Sequence, residues 1–168
     1  MLPIRTILHP TDFSAHSEYA FRLASSLARD YGARLVELHV LERPLFIHGG
    51  VMTAPPEPPP PEEQRQAIRE QLQRIKPTDP AISIEHLLEE GDPATGILQV
   101  AQERSCDLIV MGSHGRTGLG RLLLGSVAEQ VVRKAPCPVL IVKLPQHQEK
   151  PSEEAVSATA GGATVTVK

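Results

Sequence analysis

Short aliphatic runs alternate with longer amphipathic segments along this chain, and this alternation constrains its fold more than any other feature. The apolar runs at residues 4–9, 35–41, 82–86, 107–111 and 138–142 are typical of β-strands. The segments between them predict four helices, from their apolar spacing and from start signals such as Asp92-Pro93. An order of β-α-β-α-β-α-β-α-β implies right-handed crossovers and a parallel sheet. We therefore predict an α/β fold with one doubly wound, five-stranded sheet.

Local signals indicate where these elements and the domain begin and end. Ser14 is predicted to cap the first helix, and Gly32 to end it, because glycine readily adopts the left-handed conformation. The very apolar run 107–111 is expected inside the sheet, and the alternating run 82–86 at an edge. Prolines predict an extended loop at 44–61, within a domain spanning residues 1–144. Residues 145–168 lack apolar periodicity and are predicted to form a disordered tail.

Composition argues against several functional classes. A net charge of −3, five aromatic residues and no tryptophan disfavour a nucleic-acid-binding protein, which needs a basic or stacking surface. No apolar run approaches the ~20 residues of a membrane-spanning helix, and the first residues show no signal peptide. The two cysteines, Cys106 and Cys137, form neither a disulfide framework nor a zinc motif. We expect a cytoplasmic protein that contacts neither nucleic acid nor membrane.

The predicted sheet indicates a ligand site before any motif is considered. Ligands of such sheets bind beyond the carboxyl ends of the strands, at the point where the strand order reverses. If the first and fourth strands flank that reversal, Pro10, Thr11 and Asp12 line one side of the crevice. Met111 and Gly112 then line the other side. Asp12 could instead help to cap the first helix.

Five of the twelve glycines lie within residues 112–125, directly after the fourth strand. The segment lacks the lysine of a P-loop, where Arg121 stands, and the third glycine of a dinucleotide fingerprint, where Leu123 stands. Ser126 and Glu129 have the spacing of a capping box, which predicts that the last helix begins at Ser126. The free N–H groups near Val127 would then form an anion site. The glycines could also merely turn a long loop.

The same segment carries the complete pattern G-x2-G-x9-G-[ST] at Gly112, Gly115, Gly125 and Ser126. Matching motifs follow the first strand and precede the third helix and the last strand, at Pro10-Thr11-Asp12, Gly91-Asp92-Pro93 and Cys137-Pro138. On these motifs the chain resembles the universal stress protein family, of the ATP-binding type. The resemblance spans about residues 2–143.

The resemblance implies a Rossmann-like sheet in the order 3-2-1-4-5, similar to that of the adenine nucleotide alpha hydrolases. It implies adenine contacts from Asp12 and Val40 and phosphate contacts from the glycine segment. The nucleotide-binding residues implied in this way are Pro10, Thr11, Asp12, Val40, Met111, Gly112, His114, Gly115, Arg116, Gly125, Ser126 and Val127. It also implies a homodimer paired edge to edge through the last strand, at Val139, Leu140, Ile141 and Val142.

The sequence assigns no catalytic residue. His114 is a lone loop histidine, and no Ser–His–Asp or Cys–His set converges. The histidines and cysteines lack metal-site spacing, so Mg2+ would be held by ATP and not by the protein alone. We predict a homodimeric stress-response regulator that binds ATP with Mg2+. The alternatives are a slow ATP hydrolase that uses Asp12, His114 or Glu129, and a nucleotide-independent module that binds a protein partner.

Overall fold

The computed structural model describes residues 3–42, 61–114 and 124–145 of the chain. Apart from Pro61 and Pro145, the predicted proline-rich loop and the predicted tail lie outside these residues, as does most of the glycine segment. Strands and helices alternate in the order β1 (Thr6–Pro10), α1 (Ala15–Tyr31), β2 (Arg34–Glu42), α2 (Glu62–Gln73), β3 (Ile84–Gly91), α3 (Pro93–Glu103), β4 (Leu108–Gly112), α4 (Ser126–Lys134) and β5 (Val139–Val142).

The five strands form one parallel sheet in the order β3-β2-β1-β4-β5. This arrangement confirms both the predicted fold class and the predicted strand order. The chain moves outward from β1 to β3 and then returns to place β4 on the other side of β1. The carboxyl ends of β1 and β4 therefore flank the crevice in which ligands of such sheets bind.

Alternate residues of the inner strands face two separate cores. Ile7 and Leu35 face α1, where alanines such as Ala20 and Ala24 allow the helix to pack closely. Leu8 and its neighbours on that sheet face pack against α3 and α4. Leu8 and Ile109 are fully buried, and each such aliphatic side chain contributes about 1.5–3 kcal/mol relative to its exposed state. Helices thus cover both faces of the sheet.

The edge strand β3 corrects one predicted boundary. The strand was expected at 82–86, but it runs over Ile84–Gly91 and pairs with β2 along its whole length. Ile82 is buried within the preceding turn, where its N–H donates to the carbonyl of Asp79. The acidic end of β3 obscured the strand in the sequence, yet an edge strand tolerates charge on its outer side. Glu90, for example, forms an ion pair with Arg65 of α2.

The predicted signals of two helix starts and one helix end are present in the structure. Ser14 caps α1 by accepting a hydrogen bond from the N–H of Ser17, and Gly32 ends that helix at φ 63°. Asp92 caps α3, with Pro93 as its first residue. Among the described helices, none combines the length and the hydropathy needed to cross a membrane.

Candidate functional site at the carboxyl edge of the sheet

The chain turns sharply where β1 ends. Pro10 is the last residue of the strand and not a residue beyond it, since its position faces Leu38 of β2. The N–H of Thr11 donates to the carbonyl of Leu38 at 2.8 Å, so Thr11 is held at the sheet edge and is nearly fully buried. The predicted residues Pro10 and Thr11 therefore lie at the switch point, fixed by the backbone of β2.

Side-chain hydrogen bonds hold the turn after Thr11. Asp12 accepts from the N–H of Ser14 at 3.1 Å, and Thr11 Oγ1 accepts from the N–H of Phe13 at 3.0 Å. Phe13 has φ 63°, which is uncommon for a residue with a bulky side chain. Ser14, and not Asp12, caps the helix. Asp12 thus supports the cap residue and stays at the edge of the crevice.

Two apolar residues, Val40 of β2 and Met111 of β4, flank the β1 turn. Both are nearly buried and belong to the core that packs against α3 and α4. Gly96 in the first turn of α3 lies so close to Val40 that a Cβ at Gly96 would meet Val40 Cγ2 at 3.0 Å. The first turn of α3 therefore packs directly against the carboxyl end of β2, and Val40 is fixed in place.

Gly112 ends β4 beneath the first turn of α1. A Cβ at this position would lie 3.2 Å from both the carbonyl carbon and the Cβ of His16. The close approach of α1 to β4 therefore favours glycine here, because a Cβ would require the backbone of His16 to shift by a few tenths of an ångström. The next residue, Ser113, is buried and donates its N–H to the carbonyl of Val142 in β5.

The start of α4 differs from the predicted capping box. The N-cap is Gly125, in extended conformation, and no side chain of the described residues caps the start of the helix. Gly125 becomes the cap because its N–H donates to the carbonyl of Ser113 at 2.9 Å, which fixes it beside the end of β4. Ser126 is the first helical residue. Glu129 pairs with Arg133 at 2.7 Å instead of accepting a hydrogen bond from the N–H of Ser126, as a capping box would require. Within the part of the chain that the structure describes, no side chain caps the first N–H groups of α4, near Ser126 and Val127.

His114 follows the end of β4 and contacts both sides of the crevice. Its Nδ1 lies 3.0 Å from the hydroxyl of Ser113, and its ring centroid lies 5.8 Å from that of His16. The remaining members of the predicted phosphate segment, Gly115 and Arg116, lie outside the described residues. His114 is the last described residue before that segment.

The predicted dimerisation strand β5 is a sheet edge. Val142 is buried, Val139 and Ile141 are partly buried, and Leu140 is 37% exposed. One side of β5 pairs with β4, from Ile109 opposite Val139 onward, and the other side has no neighbouring strand within the described part of this chain.

A carboxylate occupies the start of α3 at the same edge of the sheet. Asp92 Oδ1 accepts from the hydroxyl of Thr95 at 2.6 Å and from its N–H at 2.9 Å. These hydrogen bonds lower the pKa of Asp92 below its usual value, and the bond from the hydroxyl has the larger effect. The start of α3 therefore carries its own anion.

The two thiols lie at the opposite end of β4 and β5. Burial raises the pKa of Cys106 to about 12, with the nearby Cys137 thiol as a smaller cause. Burial, followed by the charge of Asp107, also raises the pKa of Cys137. Both thiols are free and remain protonated at neutral pH. Cys106 is buried and Cys137 is partly buried, and both act as small hydrophobic groups that lie away from the candidate site.

The chain is similar to known proteins in both sequence and structure. The sequence model of the universal stress protein family matches residues 3–143. The chain belongs to the universal stress protein family. A universal stress protein of Methanocaldococcus jannaschii is 35% identical over 146 residues, which cover 86% of this chain and 85% of the relative. A universal stress protein of Thermus aquaticus is 36% identical over 146 residues, which cover 83% of this chain and 98% of the relative.

A solved universal stress protein in complex with cAMP has a related structure. It superposes with a TM-score of 0.60 at 28% identity, covering 84% of this chain and 98% of the other. Together with the family match, this similarity confirms the resemblance inferred from the sequence motifs.

Sequence reasoning missed two residues that shape the site of this universal stress protein. Ser113 stands at an unassigned position of the glycine pattern, yet its backbone joins β4, β5 and Gly125. His39 Nδ1 lies 2.7 Å from the carbonyl of Thr11, and its ring centroid lies 4.4 Å from that of Phe13. A polar residue within the apolar strand β2 was the available signal for His39.

Proposed function

We propose that this universal stress protein binds ATP at the carboxyl edge of its sheet, with the phosphates at the start of α4. The observation that carries the proposal is the start of α4. It has glycine as its N-cap, receives no cap from a side chain of the described residues, and is joined to the end of β4 by the hydrogen bond from Gly125 to Ser113. The first N–H groups of a helix have no partner within the helix, and the helix dipole favours negative charge there. A phosphate would supply the missing acceptor.

The apolar residues at this edge suit an adenine ring. Val40 and Met111 are aliphatic, and the turn from Pro10 to Asp12 between them offers backbone groups and one carboxylate. Hydrogen bonds to backbone groups would select the base, and aliphatic contacts would exclude water from its faces. The cAMP bound to the related universal stress protein supports an adenine nucleotide as the ligand class.

Magnesium would accompany the nucleotide. Within the described ranges, no group of three His, Cys, Asp or Glu side chains could hold a metal ion. Mg2+ prefers phosphate oxygens and water and needs few protein ligands, so ATP could carry its own cation.

Calorimetry with ATP and Mg2+ tests the proposal. We expect saturable binding, and we expect Gly115→Val to weaken it at least about tenfold, because a branched side chain obstructs the motif segment. Gly118→Val is the matched control, because residue 118 is one of the unspecified positions between Gly115 and Gly125 of the pattern. This variant should bind ATP as the parent does. Absence of measurable heat in the parent protein, or equal loss in both variants, would contradict the proposal.

We further propose that β5 pairs with β5 of a second copy, so that a homodimeric regulator responds to nucleotide. The exposed Leu140 on an edge strand supports this, since an unpaired edge promotes association. Light scattering should give twice the monomer mass for the parent protein and the monomer mass for Leu140→Glu. Leu23→Glu, on α1 and also 37% exposed, should remain dimeric. A monomeric parent would refute the dimer but not nucleotide binding.

A further inference from the structure

His39 of β2 is buried against the turn that follows β1, although its neighbours Leu38 and Val40 are aliphatic. Its Nδ1 lies 2.7 Å from the carbonyl oxygen of Thr11. A carbonyl oxygen can only accept, so this contact places a proton on Nδ1, and the imidazole donates to Thr11. A short buried hydrogen bond therefore joins β2 to the turn at the switch point.

The other polar groups of Thr11 also have partners. Its N–H donates to the carbonyl of Leu38 at 2.8 Å, and its Oγ1 accepts from the N–H of Phe13 at 3.0 Å. Thr11 Oγ1 also lies 3.1 Å from the hydroxyl of Ser17 in α1. The contact from His39 completes this set, because it fixes the direction of the Thr11 carbonyl.

The turn needs this support. Phe13 has φ 63°, and a bulky residue keeps such a conformation only where its surroundings hold it. The ring of His39 meets this need as well, since its centroid lies 4.4 Å from that of Phe13. Loss of the imidazole would let the turn rotate toward a more common conformation.

The carbonyl of Thr11 determines where the next N–H points. In a planar trans peptide the N–H lies opposite the carbonyl, so the N–H of Asp12 points away from His39. His39 alternates with Val40 along β2, which places the two side chains on opposite faces of the sheet. Val40 packs in the core beneath α3 and α4. The N–H of Asp12 is therefore directed toward the face that carries Val40.

We propose that His39 is a positioning residue for adenine recognition, because its bond to the Thr11 carbonyl aims the N–H of Asp12 at the base. This inference rests on the proposed function, which places adenine between Val40 and Met111. The ring nitrogens of adenine carry lone pairs that accept from such an N–H. His39 itself does not touch the nucleotide, and its loss should affect binding of the base but not of the phosphates.

Calorimetry with ATP and with tripolyphosphate, each with Mg2+, separates the contribution of the base from that of the phosphates. We expect His39→Leu to weaken ATP binding about tenfold, as for the loss of one aligned hydrogen bond, and tripolyphosphate binding by less than about twofold. His39→Asn keeps an N–H donor near the position of Nδ1 and should bind ATP within about threefold of the parent. Equal loss of ATP affinity in both variants, or parent-like affinity in His39→Leu, would overturn the proposal.

His86 provides the matched control. Its Nε2 lies 2.8 Å from the carbonyl of Ile75, so His86→Leu also removes a contact between an imidazole and a carbonyl, on the edge strand β3 and away from the crevice. Urea unfolding compares the stabilities of the two leucine variants, and ATP binding is measured where both are folded. His86→Leu should bind ATP as the parent does. The same loss of ATP affinity in both leucine variants would overturn the proposal.

A measurement on the parent protein decides the matter if His39→Leu does not fold. The NMR signal of the Asp12 amide proton should move downfield on saturation with ATP and stay in place with tripolyphosphate, as expected for an N–H that donates to the base. An unchanged Asp12 signal in the presence of bound ATP would overturn the role of His39 but not nucleotide binding. Absence of ATP binding by the parent would instead refute the proposed function, and this inference with it.

Discussion

Helices α3 and α4 both begin at the carboxyl edge of the sheet, yet their first turns are completed in different ways. At α3, Asp92 accepts two hydrogen bonds from Thr95 and provides a negative charge at the end of the helix. At α4, the cap is Gly125, and no side chain in the described ranges caps the start of the helix. The two starts thus differ in whether the protein supplies the anion itself.

Under the proposed function, this difference distinguishes a structural helix start from a phosphate-binding one. A side-chain cap stabilises a helix by about 1 kcal/mol but occupies the N–H groups that an external anion would need. The N-cap of α4 is glycine, so it supplies no side-chain cap; under the proposed function, the first N–H groups of α4 bind phosphate instead. The fold tolerates this because Ala128 and Val131 of α4 are buried in the core, where packing stabilises the helix.

The largest expected effect comes from giving α4 a cap of its own. Gly125→Asp should weaken ATP binding at least about tenfold, or about 1.4 kcal/mol, because the carboxylate competes with the phosphates for the same N–H groups. It should also raise the stability by a few tenths of a kcal/mol, since φ −60° and ψ 150° suit any residue. Calorimetry and urea unfolding measure the two effects.

Gly125→Ser is the control for that substitution, because it adds a neutral cap without a charge. It should weaken binding less than Gly125→Asp does. If Gly125→Asp binds ATP as the parent does, the start of α4 is not the phosphate site.

Removing the cap of α3 should lower the stability and leave ATP binding nearly unchanged, the opposite of the effects expected for Gly125→Asp. Asp92→Ala should lower the free energy of unfolding by about 1 kcal/mol, because the N–H of Thr95 loses its acceptor. The affinity for ATP should stay within about twofold of the parent value. Urea denaturation of the two proteins checks the stability, and a clear loss of affinity would show that the α3 start also contributes to binding.

The charge of Asp92 should make the free energy of unfolding depend on pH below about pH 4. Its pKa is lower in the folded protein than the ordinary value near 3.9, so its contribution is complete above that value. The contribution is lost as the pH falls through the folded pKa. The stability difference between the parent and Asp92→Asn should therefore shrink in acid. Because Asp92 is exposed, screening keeps the difference below about 1 kcal/mol.

The smallest effect is expected at the exposed pair of Glu129 and Arg133 on α4. Glu129→Gln should cost about 0.3–0.5 kcal/mol of stability, the usual value of an i, i+4 pair. It should strengthen ATP binding by less than about threefold, since one negative charge near the phosphates is removed. A large loss of ATP binding would instead indicate that Glu129 takes part directly.

Signals contained within a few neighbouring residues were predicted correctly. Helix α1 begins at Ser14 and ends at Gly32, and helix α3 begins at Asp92-Pro93. Each of these signals acts through contacts within its own turn, so its effect depends little on the rest of the fold. The strand order was also predicted, through the family resemblance. The extent of β3 was not, because an acidic edge strand resembles a loop until its partner strand is known.

The error at α4 has a different origin. Ser126 and Glu129 have the spacing of a capping box, and in an isolated peptide that pattern would favour a helix capped at Ser126. In the folded chain the carbonyl of Ser113 holds the N–H of Gly125, which moves the cap one residue earlier and leaves Glu129 to pair with Arg133. A contact between residues 113 and 125 cannot be predicted from local spacing.

The sequence by itself determined the alternation of strands and helices, the self-capped starts of α1 and α3, and the family, because these depend on local conformation and on linear motifs. The tertiary structure decided that α4, at the crevice, begins with Gly125 as its N-cap. It also decided that His9 meets Glu37, 28 residues away in the sequence. Both outcomes follow from strand register and backbone contacts across the sheet, which bring together groups whose spacing along the chain carries no signal.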